Sequence, residues 1–113
     1  MSLQPVPIQN VPGVPDYTCT AFLPKSSDYC LLIPVINEGS RILTELGRAQ
    51  KAGVDRLVDI VICDGGSTDG SMNPDTLELY GVNTLLVKTG PGKQGAQLRM
   101  GLHFALTLGY KGV

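Results

Sequence analysis

A three-layer α/β/α sandwich on a mostly parallel sheet is the fold this sequence predicts, and three observations predict it. Short apolar runs at 29–33, 57–63 and 82–87 alternate with stretches of helical spacing. The run Ile60-Val61-Ile62-Cys63 is apolar on both faces, as a strand covered by helices on both sides requires. Polar and Gly-rich segments follow the first two runs directly, at Asn37-Glu38 and at Asp64-Gly65-Gly66. Alternation of this kind implies right-handed crossovers and a layered sandwich.

The elements follow in order. Five of the eight prolines fall within residues 1–28, at Pro5, Pro7, Pro12, Pro15 and Pro24. Proline fixes φ and removes a donor, so residues 1–28 read as a Pro-rich extended arm outside the main sheet, and 29–113 as the domain. A strand at 29–33 is followed by a helix over about 40–52, where Ile42, Leu43, Leu46 and Ala49 form one apolar stripe and Gly53 marks the stop. After the strand at 57–63, a short helix fits 74–80, with Pro74 in its first turn and Gly81 after it. A strand at 82–87 and a loop through Gly90 and Gly92 precede the last helix, about 94–108. Leu98, Leu102, Ala105 and Leu106 are expected on its inward face and Gly109 at its end.

Composition narrows the function classes. A chain of 113 residues suits one small domain, and a net charge of -1 supplies no electrostatic reason to bind nucleic acid or an anionic membrane. No apolar stretch is long enough to span a bilayer, and no basic region followed by an apolar core opens the chain. Cys19, Cys30 and Cys63 form no Cys-x-x-Cys pair. Their odd number argues against a disulfide framework, which fits a reducing, cytoplasmic setting.

Several residues could carry chemistry. Glu38 could accept hydrogen bonds from a nucleoside, or could sit at a helix start where the dipole favours a carboxylate. Asp64 could accept from a base N–H while Gly66 lets a ligand approach, or could form a turn. Asp55 and Asp59 read as ordinary edge or loop charges, and Ser67, Thr68 or Asp69 as caps for the next segment. Lys93 and Arg99, with Gly90, Gly92 and Gly95, could meet a diphosphate or could be solvated charges. The loop is not a Walker A motif, because the Gly-x-x-x-x frame and the following Ser or Thr are missing. His103 has no Cys or Asp at metal-ligand spacing, and Ser67 has no Gly-x-Ser-x-Gly elbow. Such signals at successive strand ends converge on one cleft in an open α/β sheet.

From Tyr29 to its C-terminus the chain resembles family 2 glycosyltransferases, the inverting group with the GT-A fold that includes polyprenyl-phosphate mannose and glucose synthases. The matching segments are Leu32-Ile33-Pro34-Val35-Ile36-Asn37-Glu38, then Ile60-Val61-Ile62-Cys63-Asp64-Gly65-Gly66-Ser67-Thr68-Asp69-Gly70-Ser71, then Gly92-Lys93-Gln94-Gly95-Ala96-Gln97-Leu98-Arg99-Met100-Gly101-Leu102. The resemblance implies the Rossmann-like, nucleotide-binding half of a GT-A domain and a UDP- or GDP-sugar donor. The acceptor would be polyprenyl phosphate, a glycan or a small molecule, reached at the cytoplasmic membrane face if it is lipid-linked. It implies that Pro34, Val35 and Asn37 line the nucleotide, Glu38 contacts the nucleoside, and Asp64 beside Gly66 holds the base. Lys93 and Arg99 would approach the diphosphate. Asp64-Gly65 stands where the family commonly has Asp-Asp, and Ile36 where many members have an aromatic.

The family's Asp-x-Asp motif, which binds a Mg²⁺ or Mn²⁺ ion, and its general base both come further along the chain. The expectation is therefore a truncated, N-terminal fragment that binds donor and is inactive alone. Loss of the next strand is expected to leave the strand at 29–33 as an open apolar edge, through which the fragment self-associates. A sugar-nucleotidyltransferase or a non-catalytic nucleotide-binding module are the alternatives.

Overall fold

A computed structural model describes residues 6–8, 14–90 and 94–113. Five strands, β1 (Val6–Ile8), β2 (Tyr17–Ala21), β3 (Cys30–Val35), β4 (Asp59–Asp64) and β5 (Thr84–Lys88), form one sheet in the order β1-β2-β5-β4-β3. The helices are α1 (Arg41–Lys51), α2 (Val54–Leu57), α3 (Pro74–Leu79) and α4 (Gln94–Thr107). β3, β4 and β5 run parallel, and their register sets Pro34 opposite Cys63 and Val35 opposite Asp64. β2 joins β5 antiparallel, and β1 joins β2 antiparallel. The chain is therefore α/β, with its parallel part built from the strands that the apolar runs predict.

The extended-arm expectation for residues 1–28 needs correction at Tyr17–Ala21. This segment is an inner strand between β1 and β5, not an arm laid over the surface. The physical reason is local. The window between Pro15 and Pro24 is free of proline, so every residue keeps its N–H for a ladder. It also carries Tyr17, which is fully buried in the core. Pro7 lies in the outer strand β1, where a missing donor is tolerated.

Alternation along β4 splits the core into two halves. Val61 and Cys63 pack with Tyr17, Leu86, Met100 and Phe104 on the α4 side. Ile60 and Ile62 pack with Ile42, Leu46, Leu77 and Val82 on the side of α1 and α3. Helices thus cover both faces, and all six residues of β4 are buried. Ile42 and Leu46 are the buried members of the α1 stripe, each contributing about 1.5–3 kcal/mol by burial. The helix ends at Gly53, whose φ of +79° suits a residue without Cβ. α3 starts at Pro74 and is capped by Asn73, whose side chain accepts from Asp75 and Thr76 amides. The cap is therefore Asn73, and not Ser67, Thr68 or Asp69.

The inward face of α4 also needs correction. Leu98, Leu102 and Leu106 are 38, 43 and 78 % exposed, whereas Ala96, Met100, Phe104 and Ala105 are buried. Both stripes have helical spacing, so periodicity alone cannot choose between them. Close packing chooses. α4 approaches the sheet so tightly that a Cβ on Gly101 would lie 2.7 Å from Cys63 Sγ and 3.1 Å from Leu32 Cδ1. The face that carries Gly101, together with Ala96, Met100, Phe104 and Ala105, lets the helix come that close. Ala105, expected inward, is indeed buried.

Asp59 differs from its reading as an edge charge. It is 3 % exposed at the amino end of β4. Its carboxylate accepts from Tyr110 O–H at 2.6 Å, Ser26 O–H at 2.7 Å and Ser26 N–H at 2.9 Å. Burial alone would raise its pKa. These donors outweigh burial and hold it below the ordinary carboxylate value.

β3 forms an open edge of the sheet. Tyr29 and Val35 carbonyls accept from Asp59 and Gly65, so odd-numbered residues bond towards β4 and even-numbered ones face outward. The outward Cys30 N–H donates to Gly112 O, within a parallel bridge between Tyr29 and Gly112. Pro34, also outward, has no N–H. Among the described residues, Leu32 is the outward-facing position of β3 to which no such cover falls.

Candidate functional site

Two loops meet at the carboxyl ends of β3 and β4. In the first, Asn37 adopts a left-handed φ of +46°, and Asn tolerates that region better than most residues. Its N–H donates to Ser67 Oγ at 2.9 Å, and its Oδ1 accepts from Thr68 N–H at 2.8 Å. Gly39 N–H donates to Asp69 Oδ2 at 3.1 Å. Three hydrogen bonds therefore clasp residues 37–39 to residues 67–69.

Asp64 holds the second loop from beneath. It is 2 % exposed, and its two carboxylate oxygens accept from Ser67 N–H at 3.1 Å, with Ser67 O–H adding a bond of 2.6 Å to Oδ1. Of the two roles weighed for Asp64, the geometry is that of the turn. The residue shapes the loop surface and presents Ser67 to Asn37. Gly66 follows with φ +102°, and a Cβ there would lie 3.7 Å from Lys88 O. The requirement for glycine is thus its backbone angle, and the end of β5 lies beside this loop.

Glu38 stands just before α1. Its carboxylate accepts from the exposed Arg41 guanidinium, with Arg41 Nε at 2.9 Å, and its side chain keeps 25 % exposure. The contact raises the Arg41 pKa. Pro34, Val35 and Glu38 line a groove of about 480 Å³ between β3 and α1, with Ile33, Ile42 and Leu46 as part of its apolar floor. A smaller hollow of about 250 Å³ lies between Gly39, Ser40, Leu43, Asp69 and Asn73. Asp69 is held below the ordinary carboxylate value, mainly by hydrogen bonds from Ser71.

The structure thus brings Asn37, Asp64 and Gly66 into one clasp, and Pro34, Val35 and Glu38 into the adjoining groove. Arg99 is exposed on α4, with its Nη1 3.3 Å from where a Gly95 Cβ would stand, so the guanidinium folds back towards the helix start. Lys93 lies outside the described residues. Ile36 is 52 % exposed. His103 is partly buried, with Nδ1 2.7 Å from Tyr17 Oη and its ring edge-on to Tyr17. It packs, as expected of a histidine lacking nearby ligands.

Sequence reasoning passed over Gln97. Its side chain is buried, and Nε2 donates to Val35 O at 2.8 Å and Cys63 O at 2.9 Å. A polar residue between Ala96 and Met100 on the buried stripe is the signal that points to it.

Cys63 is buried. Burial and the neighbouring Cys30 push its thiol up to about 12, which suits packing and not nucleophilic work. Among the described residues, no group of three or more His, Cys, Asp or Glu side chains could hold a metal ion. The residues present therefore do not fit the divalent ion that the glycosyltransferase resemblance implies for a longer enzyme. No helix among the described residues is long and apolar enough to cross a membrane. No family model matches this chain, and no curated protein or solved structure is found similar to it.

Proposed function

We propose that this chain forms the donor-nucleotide-binding part of an inverting glycosyltransferase of the GT-A type, using a UDP- or GDP-linked sugar and passing it to a polyprenyl phosphate or glycan acceptor. The observation that carries the reading is the clasp between the loops after β3 and β4, set beside the groove lined by Pro34, Val35 and Glu38. Ligands of open α/β sheets bind outside the carboxyl ends of parallel strands. The groove runs along β3 beside α1 and reaches that end at Glu38; its apolar wall and partly exposed carboxylate suit a flat base and its ribose.

In this reading Pro34 and Val35 pack against the nucleoside, and Glu38 accepts from its N–H or hydroxyl groups. Asn37 fixes the loop that carries Glu38. Asp64 acts through Ser67 by shaping the turn, and Gly66 keeps the backbone open to the ligand. Arg99 and Lys93 supply positive charge for the diphosphate. In this reading the chain binds and orients the donor.

Amide NMR with added UDP or GDP tests the reading. Shifts concentrated at Asn37, Gly39, Ser67 and Thr68 are expected. Binding whose shifts lie elsewhere, with these amides unmoved, would favour a different nucleotide-binding module and contradict this site.

A further inference from the structure

From α4, the Gln97 side chain reaches both strand ends from which the candidate loops leave. It belongs to neither loop. Val35 closes β3, Cys63 is the penultimate residue of β4, and the register sets Pro34 opposite Cys63 and Val35 opposite Asp64. The two amide hydrogens of Nε2 go one to each carbonyl. Val35 O also receives Gly65 N–H at 2.9 Å, so this oxygen is shared by the helix and the neighbouring loop. Gly65 is matched to the arrangement: a Cβ there would stand 3.0–3.1 Å from the Gln97 carboxamide atoms. Its place on the helix is equally constrained, because Gln97 belongs to the buried stripe beside Ala96 and Met100.

We infer that Gln97 is a positioning residue for the candidate nucleotide site, a splint that fixes the separation of the loops after β3 and β4. The inference rests on the nucleotide reading of those loops. The chemistry of the amide explains the choice of residue. Two carbonyls converging on one buried point need two donors on one head group, and a primary amide supplies both without charge. A carboxylate there would face two carbonyl oxygens with no hydrogen to offer. A methionine would fill the space and leave both carbonyls with one donor fewer. Because Gln97 touches strand ends and not ligand, its removal acts on loop spacing and reaches binding through it.

The test uses Gln97→Met and Gly65→Ala, the second crowding the Gln97 head at 3.0–3.1 Å so that it must shift, without changing Gln97 itself. Amide hydrogen exchange comes first and needs no ligand. Faster exchange is expected at Asn37, Gly39 and Thr68 in both variants, with Ile62 and Leu86 unchanged. UDP and GDP titration of the folded proteins follows. A Kd raised at least about tenfold in both variants supports the splint. Unchanged loop exchange overturns it whatever the ligand does. Loosened loops with a Kd within roughly twofold of the parent overturn the positioning role while leaving nucleotide binding standing. Failure of the parent chain to bind either nucleotide sinks the nucleotide reading, and the role in binding falls with it, while the exchange result still reports whether the splint exists.

Discussion

Asp59→Ala is expected to destabilise this chain strongly without touching the candidate site. Asp59 is 3 % exposed and takes bonds of 2.6–2.9 Å from Tyr110 and Ser26. Those bonds tie the residues before β3 and the segment after α4 to the amino end of β4. Hydrogen bonds to a charged acceptor contribute about 1.5–3 kcal/mol each, and stranding their buried donors adds to the loss. The contributions are not additive, so the expected loss is about 3–5 kcal/mol. For a domain of this size that corresponds to a melting temperature lower by about 10–20 °C. Tyr110→Phe removes one donor and should cost about 1.5–3 kcal/mol. Urea unfolding followed by circular dichroism measures both. The sign with pH is fixed by the depressed Asp59 pKa. Its contribution is complete above the unfolded carboxylate value of about 4, and is lost as pH falls through the folded value. The gap between parent and Asp59→Ala should therefore narrow in acid. A loss under about 1 kcal/mol at neutral pH, or a gap indifferent to pH, would refute the reasoning.

Gly101→Ala should cost about 1–3 kcal/mol by overpacking, since the new Cβ meets Cys63 Sγ at 2.7 Å. Adding Cys63→Ala should recover part of that loss in a double-mutant cycle, and strict additivity would show that the sulfur is not the obstacle. Stability should fall as pH rises from about 8.5, because the unfolded thiol ionises there. Burial first, then Cys30, keeps the folded Cys63 thiol neutral up to about 12; an unfolding free energy flat to pH 10, about one and a half units past the unfolded thiol, would contradict this. The β3 edge is expected to promote self-association, restrained by the missing N–H of Pro34 and by the cover of Gly112. Pro34→Val restores a donor and should raise the dimer fraction measured by light scattering, whereas two strictly monomeric proteins would count against the edge as a contact.

The parallel strands were legible because β4 carries an unbroken run of buried apolar residues and because Gly53, Pro74, Gly81 and Gly109 punctuate the helices between them. β2 was not, since the prolines on either side of Tyr17–Ala21 masked a window able to form a ladder. The facing of α4 was hidden for another reason. Leucines stand on one face and Met100 and Phe104 on the other, so hydrophobicity does not separate them, whereas the close approach at Gly101 does. At the site, the neighbourhood of Asn37, Glu38, Asp64 and Gly66 could be read from residues that follow strands directly. That Asp64 turns inward to Ser67 depends on loop geometry, and that Gln97 joins two strand ends depends on tertiary register. Neither is encoded in local spacing.

The measurement that bears most directly on the central claim is calorimetric titration of UDP and GDP, with and without Mn²⁺, into this chain and its Glu38→Ala variant. Glu38 is the variant of choice because its partner Arg41 is exposed and the pair contributes little to folding. The account predicts binding of one nucleotide, indifferent to the metal, and weakened by roughly tenfold or more in Glu38→Ala while the fold is retained. No binding by the folded parent chain, or equal affinity in the variant, would contradict it.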